Sequence, residues 1–121
     1  MGGKRFCSID KKYFEPVIDG MEKVLTGNEG TAVNSQIDSI VICGKTGTAQ
    51  NPHGEDHSIF IAFAPRKNPK IAIAVYVENG GWGATWAAPI ATLMIEKYLK
   101  NKISNISQEN FILNGILSSE K

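Results

Sequence analysis

Apolar positions recur along this chain with two different periods. Between Lys12 and Leu25 they fall at steps of three and four: Phe14, Val17, Met21, and Val24 or Leu25. That spacing predicts a helix with one apolar face. Pro16 suits its first turn, where a missing N–H costs nothing. The turn Gly27-Asn28-Glu29-Gly30 ends it, and residues 31–36 read as a short polar segment. The period then changes. Ile40-Val41-Ile42-Cys43 is a β-branched run feeding directly into Gly44-Lys45-Thr46-Gly47-Thr48, which predicts a strand over about 40–50. Residues 51–57 form a polar loop, Ser58 to Ala64 a second strand, and Pro65-Arg66-Lys67-Asn68-Pro69 a turn. Ile71 to Val77 alternates, with Ile71, Ile73, Val75 and Val77 on one face and Ala72, Ala74 and Tyr76 on the other. After the Gly-rich turn Asn79-Gly80-Gly81-Trp82-Gly83, a helix over 85–100 carries Trp86, Ile90, Leu93 or Met94, and Tyr98 on one stripe. Lys97 and Lys100 suit its last turn.

The predicted order is helix, three strands, helix. Short connections between successive strands argue for antiparallel pairing. Helices on one face of such a sheet make an α+β layer. Residues 1–10 read as a lead-in, either an added start or the interior of a longer protein. Residues 11–100 carry the elements. Residues 101–121, rich in Ser and Asn, read as a polar tail that is mostly disordered.

Composition narrows the function classes. A length of 121 residues permits one modest domain. The net charge of +1 gives no case for nucleic acid or an anionic membrane surface. No apolar run approaches the roughly 20 residues a membrane-spanning helix needs, and the start lacks the apolar core of a signal peptide. Cys7 and Cys43 are too few for a disulfide framework; Cys43, in an apolar run, reads as a small buried hydrophobe.

Residues 44–48 admit two chemistries. Gly-Lys-Thr ends a phosphate-binding loop, but the leading glycine of that pattern would fall at Ser39. The residues between are stiff and apolar where a cradle needs a flexible turn. The alternative is recognition of a peptide carboxylate. On a strand Thr46 and Thr48 share a face, Lys45 supplies a compact positive charge, and Gly47 leaves room for another backbone. An edge strand here can accept an extended ligand by strand addition, and a backbone N–H can face a developing oxyanion. Strict alternation puts Lys45 on the other face from the threonines. His53 and His57, flanking Glu55 and Asp56, make the best metal-like cluster, but it is not His-Glu-x-x-His and it sits in a loop. It reads as a solvated loop, with a zinc site as the alternative; no metal or cofactor is expected.

Lys45-Thr46-Gly47 is also the third motif of the penicillin-binding proteins and serine β-lactamases. Asp56 to Pro65 resembles the strand that follows it in penicillin-binding transpeptidases. Glu78-Asn79-Gly80-Gly81 and Ala87-Ala88-Pro89-Ile90-Ala91 resemble the next strand end and the last helix, and Gly20-Met21 with Gly27 to Ala32 the elements before the motif. Over about residues 10–100 the chain is most similar to the elongation-type class B branch, penicillin-binding protein 2. Ala84 departs from a frequent Gly.

The resemblance implies part of a transpeptidase fold whose full sheet has five strands, two of them encoded upstream with a helical insertion. Ile71–Val77 would then have an open edge, a surface for self-association. It implies a longer protein anchored in the cytoplasmic membrane with this domain outside, acting in a cell-elongation complex. Its partners would be peptidoglycan stem peptides and β-lactams. Lys45, Thr46, Gly47 and Thr48 would dock the substrate carboxylate, with the Thr48 N–H as one oxyanion donor. The family's nucleophile belongs to Ser-x-x-Lys and is followed by Ser-x-Asn. Ser8-Ile9-Asp10-Lys11 stands too close to Lys45 to leave room for that insertion, Ser118-Ser119-Glu120-Lys121 follows the motif, and no Ser-x-Asn lies between Ser8 and Lys45. Both read as chance matches, so no catalytic residue is expected in this chain and the chain alone is expected to be inactive. A β-lactam sensor or hydrolase of the same fold, and a non-catalytic module binding peptide C-termini, remain as alternatives.

Overall fold

The computed structural model describes residues 2–115. Asp10 accepts a hydrogen bond from the Lys12 N–H and starts a short 3₁₀ turn, Lys11–Tyr13. This runs into helix α1, Glu15–Thr26, with Pro16 in its first turn. The Gly27 N–H donates to the Lys23 carbonyl. A Cβ at Gly30 would lie 2.5 Å from the carbonyl oxygens of both Lys23 and Val24, so only glycine lets the chain fold back so tightly over the last turn. The inward face of α1 is Ile18, Met21, Glu22 and Leu25, not the stripe expected from Phe14 and Val17, which are exposed. Leu25 alone on the helix is fully buried, and the packing around it sets the rotation.

Three strands follow: β1 (Cys43–Ala49), β2 (His57–Ala64) and β3 (Ile71–Val77), antiparallel in the order β1-β2-β3. The predicted strand over 40–50 is shorter at its start. Ile40 and Ile42 are buried and Val41 is half exposed, but none of the three pairs in the sheet. Only the Val41 carbonyl is tied, by the Arg66 N–H at 2.9 Å. Hydrophobic burial, rather than pairing, uses that run.

Helix α2, Ala87–Lys100, lies on the sheet face formed by Ser58, Phe60, Ala62 and Ala64. Its contact surface is Ala87, Ala88, Ala91 and Ile95, all fully buried, while Met94 and Tyr98 are 53% and 64% exposed. The expected stripe of large residues is therefore the rim of the helix. Alanines let α2 approach the sheet closely, and Phe60 fills the space between, contributing roughly 1.5–3 kcal/mol by burial. Helix α1 packs on β1 from the other side: Ile18 and Met21 border hollows with Phe63 and Ile61, which alternate with Phe60 and Ala62. The two helices thus flank the sheet instead of sharing one face, and the class remains α+β.

The tail departs from its predicted disorder. Ile106–Leu113 forms helix α3, and the Asn105 side chain accepts from the Gln108 N–H at its start. Phe111 stacks on Trp86 at 5.4 Å, and the Gln108 amide donates to the Asn34 carbonyl. Those contacts supply the burial that local composition did not advertise. Residues 116–121 of the tail lie outside the described residues.

Candidate functional site

Residues 44–48 lie in the middle of a regular strand, which removes the phosphate-loop reading. Gly44, Thr46 and Thr48 stand opposite Ala62, Phe60 and Ser58, while Lys45 and Gly47 stand opposite Ile61 and Ile59. Facing pairs share a side of the sheet, so Lys45 and the threonines are on opposite faces, as alternation requires. β1 pairs with β2 alone, leaving its outer edge free of strand partners among the described residues.

The two glycines of β1 are there for different reasons. A Cβ at Gly44 would lie 2.4 Å from Cζ of the fully buried Phe60 and 3.0 Å from the Ile61 carbonyl oxygen. The core demands glycine at that position. A Cβ at Gly47 would meet only Ile59 Cβ at 3.5 Å, an ordinary contact. Nothing in the chain's own packing needs the smallest residue there.

Lys45 is exposed and its ammonium donates to the Thr46 carbonyl at 2.6 Å. It borders a hollow of about 580 Å³ beside α1, with Gly20, Lys23, Val24 and Thr31. The hydroxyls of Thr31 and Thr46 are 2.9 Å apart and share a hydrogen bond. Thr48 is exposed and its hydroxyl has no hydrogen bond within the chain among the described residues. Of the four residues predicted for docking, Thr48 and Gly47 are the most available, Lys45 is accessible from the α1 side, and Thr46 is already partnered.

Sequence reasoning missed three supports of this strand. Thr31 was seen only as part of a polar segment. Ser58, opposite Thr48, donates its hydroxyl proton to the Trp82 carbonyl at 2.9 Å and accepts from the Ala87 N–H at 3.1 Å. It ties β2 to the turn before α2. A Cβ at Gly83 would come within 2.5 Å of the Ile59 carbonyl oxygen and 2.6 Å of that of Gly47. The Gly-rich turn therefore presses backbone to backbone on the motif strand, holding it straight beneath the exposed Trp82. A Gly in such a turn was the available signal.

The remaining candidates are placed elsewhere. His57 Nδ1 accepts from the Asn79 N–H at 3.0 Å, and Asp56 accepts from the Asn51 N–H at 3.0 Å. Both serve the loop that closes the β1–β2 connection, and no group of three or more His, Cys, Asp or Glu among the described residues is placed to hold a metal. Ser8 is exposed beside α1; Ser118 lies outside the described residues. Cys7 and Cys43 are both free. Burial pushes the Cys43 thiol above its ordinary value, the nearby Glu22 and Asp19 carboxylates add to this, and Arg66 opposes it. Arg66, a quarter exposed, gathers Glu22, Asp19 and, at 3.5 Å, Glu15 from one side of α1. Hydrogen bonds to Glu22, then Asp19, raise its affinity for its proton. This clamp joins the β2–β3 turn to α1.

The geometry defines a class: an α+β sheet whose polar edge strand, stiffened from behind, offers hydroxyls, a lysine and an unfilled glycine to an extended ligand. Comparison with known proteins resolves the class. Residues 4–96 match the penicillin binding protein transpeptidase domain, and the chain belongs to that family. It is 33% identical over 107 residues to the peptidoglycan D,D-transpeptidase MrdA of Haemophilus influenzae, covering 75% of this chain and 16% of that protein. A crystal structure of Pseudomonas aeruginosa PBP2 in complex with WCK 5153 superposes with a TM-score of 0.70 at 37% identity, over 80% of this chain and 22% of that one. PBP2 of Helicobacter pylori, solved in complex with MreC, superposes with a TM-score of 0.64 at 32% identity, over 77% and 18%. The chain thus spans less than a quarter of the length of these relatives. No helix among the described residues is long and apolar enough to cross a membrane.

Proposed function

We propose that residues 11–100 are the C-terminal, substrate-docking segment of a peptidoglycan D,D-transpeptidase. In the longer protein a serine outside this chain attacks the carbonyl between the last two residues of a stem peptide ending in D-Ala-D-Ala. The terminal D-Ala leaves with a proton, and an amine from a neighbouring strand then takes the acyl group and frees the serine. A β-lactam meets the same serine, which opens the ring and stays acylated. The stem peptide lies along the outer edge of β1. Its carboxylate is held by the Thr48 and Thr46 hydroxyls and the charge of Lys45, and the Thr48 N–H faces the oxyanion.

The observation that carries this reading is Gly47. It is a glycine on an open polar edge strand with no internal reason to be one, so the space it leaves serves something from outside the chain. Similarity to MrdA and to a PBP2 that binds MreC supports placement of the longer protein in a cell-elongation complex. The family resemblance supports a cytoplasmic-membrane anchor with this domain on the outer side.

A fluorescent penicillin tests the assignment. The 121-residue chain takes up no covalent label, whereas the full-length protein is labelled and Thr48→Val slows its labelling. An adduct on the isolated chain, at Ser8 or elsewhere, overturns the reading. Titration with a D-Ala-D-Ala peptide separates a self-sufficient binding module, which would bind to this chain alone.

A further inference from the structure

The outer edge of β3 carries its own information, independent of the docking reading. The strand Ile71–Val77 holds no charge, proline or glycine, and those are the usual means of blunting a sheet edge. Charges sit immediately outside it. Lys70 and Glu78 are both exposed, and neither has an ion-pair partner among the described residues.

We propose that the chain dimerises by pairing β3 with β3 of a second copy, antiparallel, about a two-fold axis at Ala74. In that register each Lys70 stands opposite the second copy's Glu78, so two cross-strand ion pairs form, one at each end. Ile71 and Ile73 stand opposite the second copy's Val77 and Val75. All eight β-branched side chains stay on the α2 face, and the pair becomes a continuous six-stranded sheet. A shift of one residue turns that set to the wrong face. A shift of two keeps the face but breaks both ion pairs and shortens the ladder.

A second observation points to the same occupant. On the α2 face, the β3 edge opens into a groove of about 420 Å³ lined by Ile71, Ile73, Leu93, Met94, Tyr98 and Ile103, with Lys97 at its margin. The two-fold brings both grooves together under the two α2 helices. Met94 and Tyr98, half exposed or more in one copy, then close over the second copy's valines.

Sedimentation of the 121-residue chain over a dilution series from micromolar to millimolar reads the dimer directly. Glu78→Lys sets lysine against Lys70 at both ends and weakens the dimer roughly tenfold; Lys70→Glu does the same. The double exchange Lys70→Glu with Glu78→Lys restores both pairs and brings the affinity back to within about threefold of the starting value. Circular dichroism confirms that each surface variant is folded. A chain that stays monomeric throughout overturns the proposal and leaves the edge to a strand from elsewhere. Open-ended oligomers, or a double exchange that fails to recover, overturn the two-fold register.

Discussion

The two ends of β1 answer to different masters. At the inner end, Cys43 and Gly44 are buried, and Gly44 is glycine because the Phe60 ring occupies the space a methyl group would need. At the outer end, Lys45 and Thr48 are exposed, and Gly47 has room for a methyl group that it does not carry. One strand thus holds a glycine explained by packing and, three residues on, a glycine explained only by a visitor. Reading both as the same flexible punctuation would miss the site.

The contrast is tested most severely from beneath. Phe60→Ala removes the ring that dictates Gly44 and should cost about 3–5 kcal/mol in urea unfolding. The exposed outer end should respond in function and not in folding. Lys45→Ala should leave the unfolding midpoint of the chain within about 0.5 kcal/mol of its starting value. In the full-length protein it should slow penicillin acylation roughly 10- to 100-fold, the loss expected from one charge-assisted hydrogen bond. A stability loss as large as that of Phe60→Ala would erase the distinction between the two ends.

The glycines give the sharpest pairing. Gly44→Ala should destabilise by about 1–3 kcal/mol, and Phe60→Leu in the same chain should recover part of it. Gly47→Ala should be within about 0.5 kcal/mol of neutral in stability yet impair penicillin labelling of the full-length protein. If both substitutions destabilise equally, the argument from Gly47 to a ligand fails.

The smallest effect concerns pH. Burial raises the Cys43 thiol pKa in the folded chain, so the folded form keeps a proton that the unfolded form loses. The associated stability is complete below the ordinary thiol pKa of about 8.5 and declines as pH rises above it. Unfolding midpoints at neutral and alkaline pH should diverge more for the unchanged chain than for Cys43→Ala. Equal divergence would show that the inner end is more open to solvent than its burial indicates.

Strand order, the antiparallel hairpins and the motif strand were legible because alternation and turn residues are local signals. The docking residues were legible because Lys-Thr-Gly-Thr sits in a pattern whose neighbours also match. The helix faces were less so. Large apolar residues at helical spacing suggested Phe14 and Val17 for α1 and Tyr98 for α2, yet these are exposed. The faces that pack are Ile18, Met21 and Leu25, and the alanines of α2. Periodicity marks which residues can share a side, whereas the fit against Phe60 and its neighbours selects the side. Helix α3 was invisible for a related reason, since its support comes from Trp86 and Asn34, far away in the chain.

Sequence was therefore sufficient for the identity and order of the elements, the family, and the four residues offered to a ligand, since each rests on neighbours along the chain. Tertiary structure alone decided that the helices flank the sheet, that Thr31 occupies the Thr46 hydroxyl, that Gly83 braces the motif strand, and that Gly44 and Gly47 differ. Those are facts about distances between atoms remote in sequence, and close packing settles them only once the whole chain has condensed around Phe60.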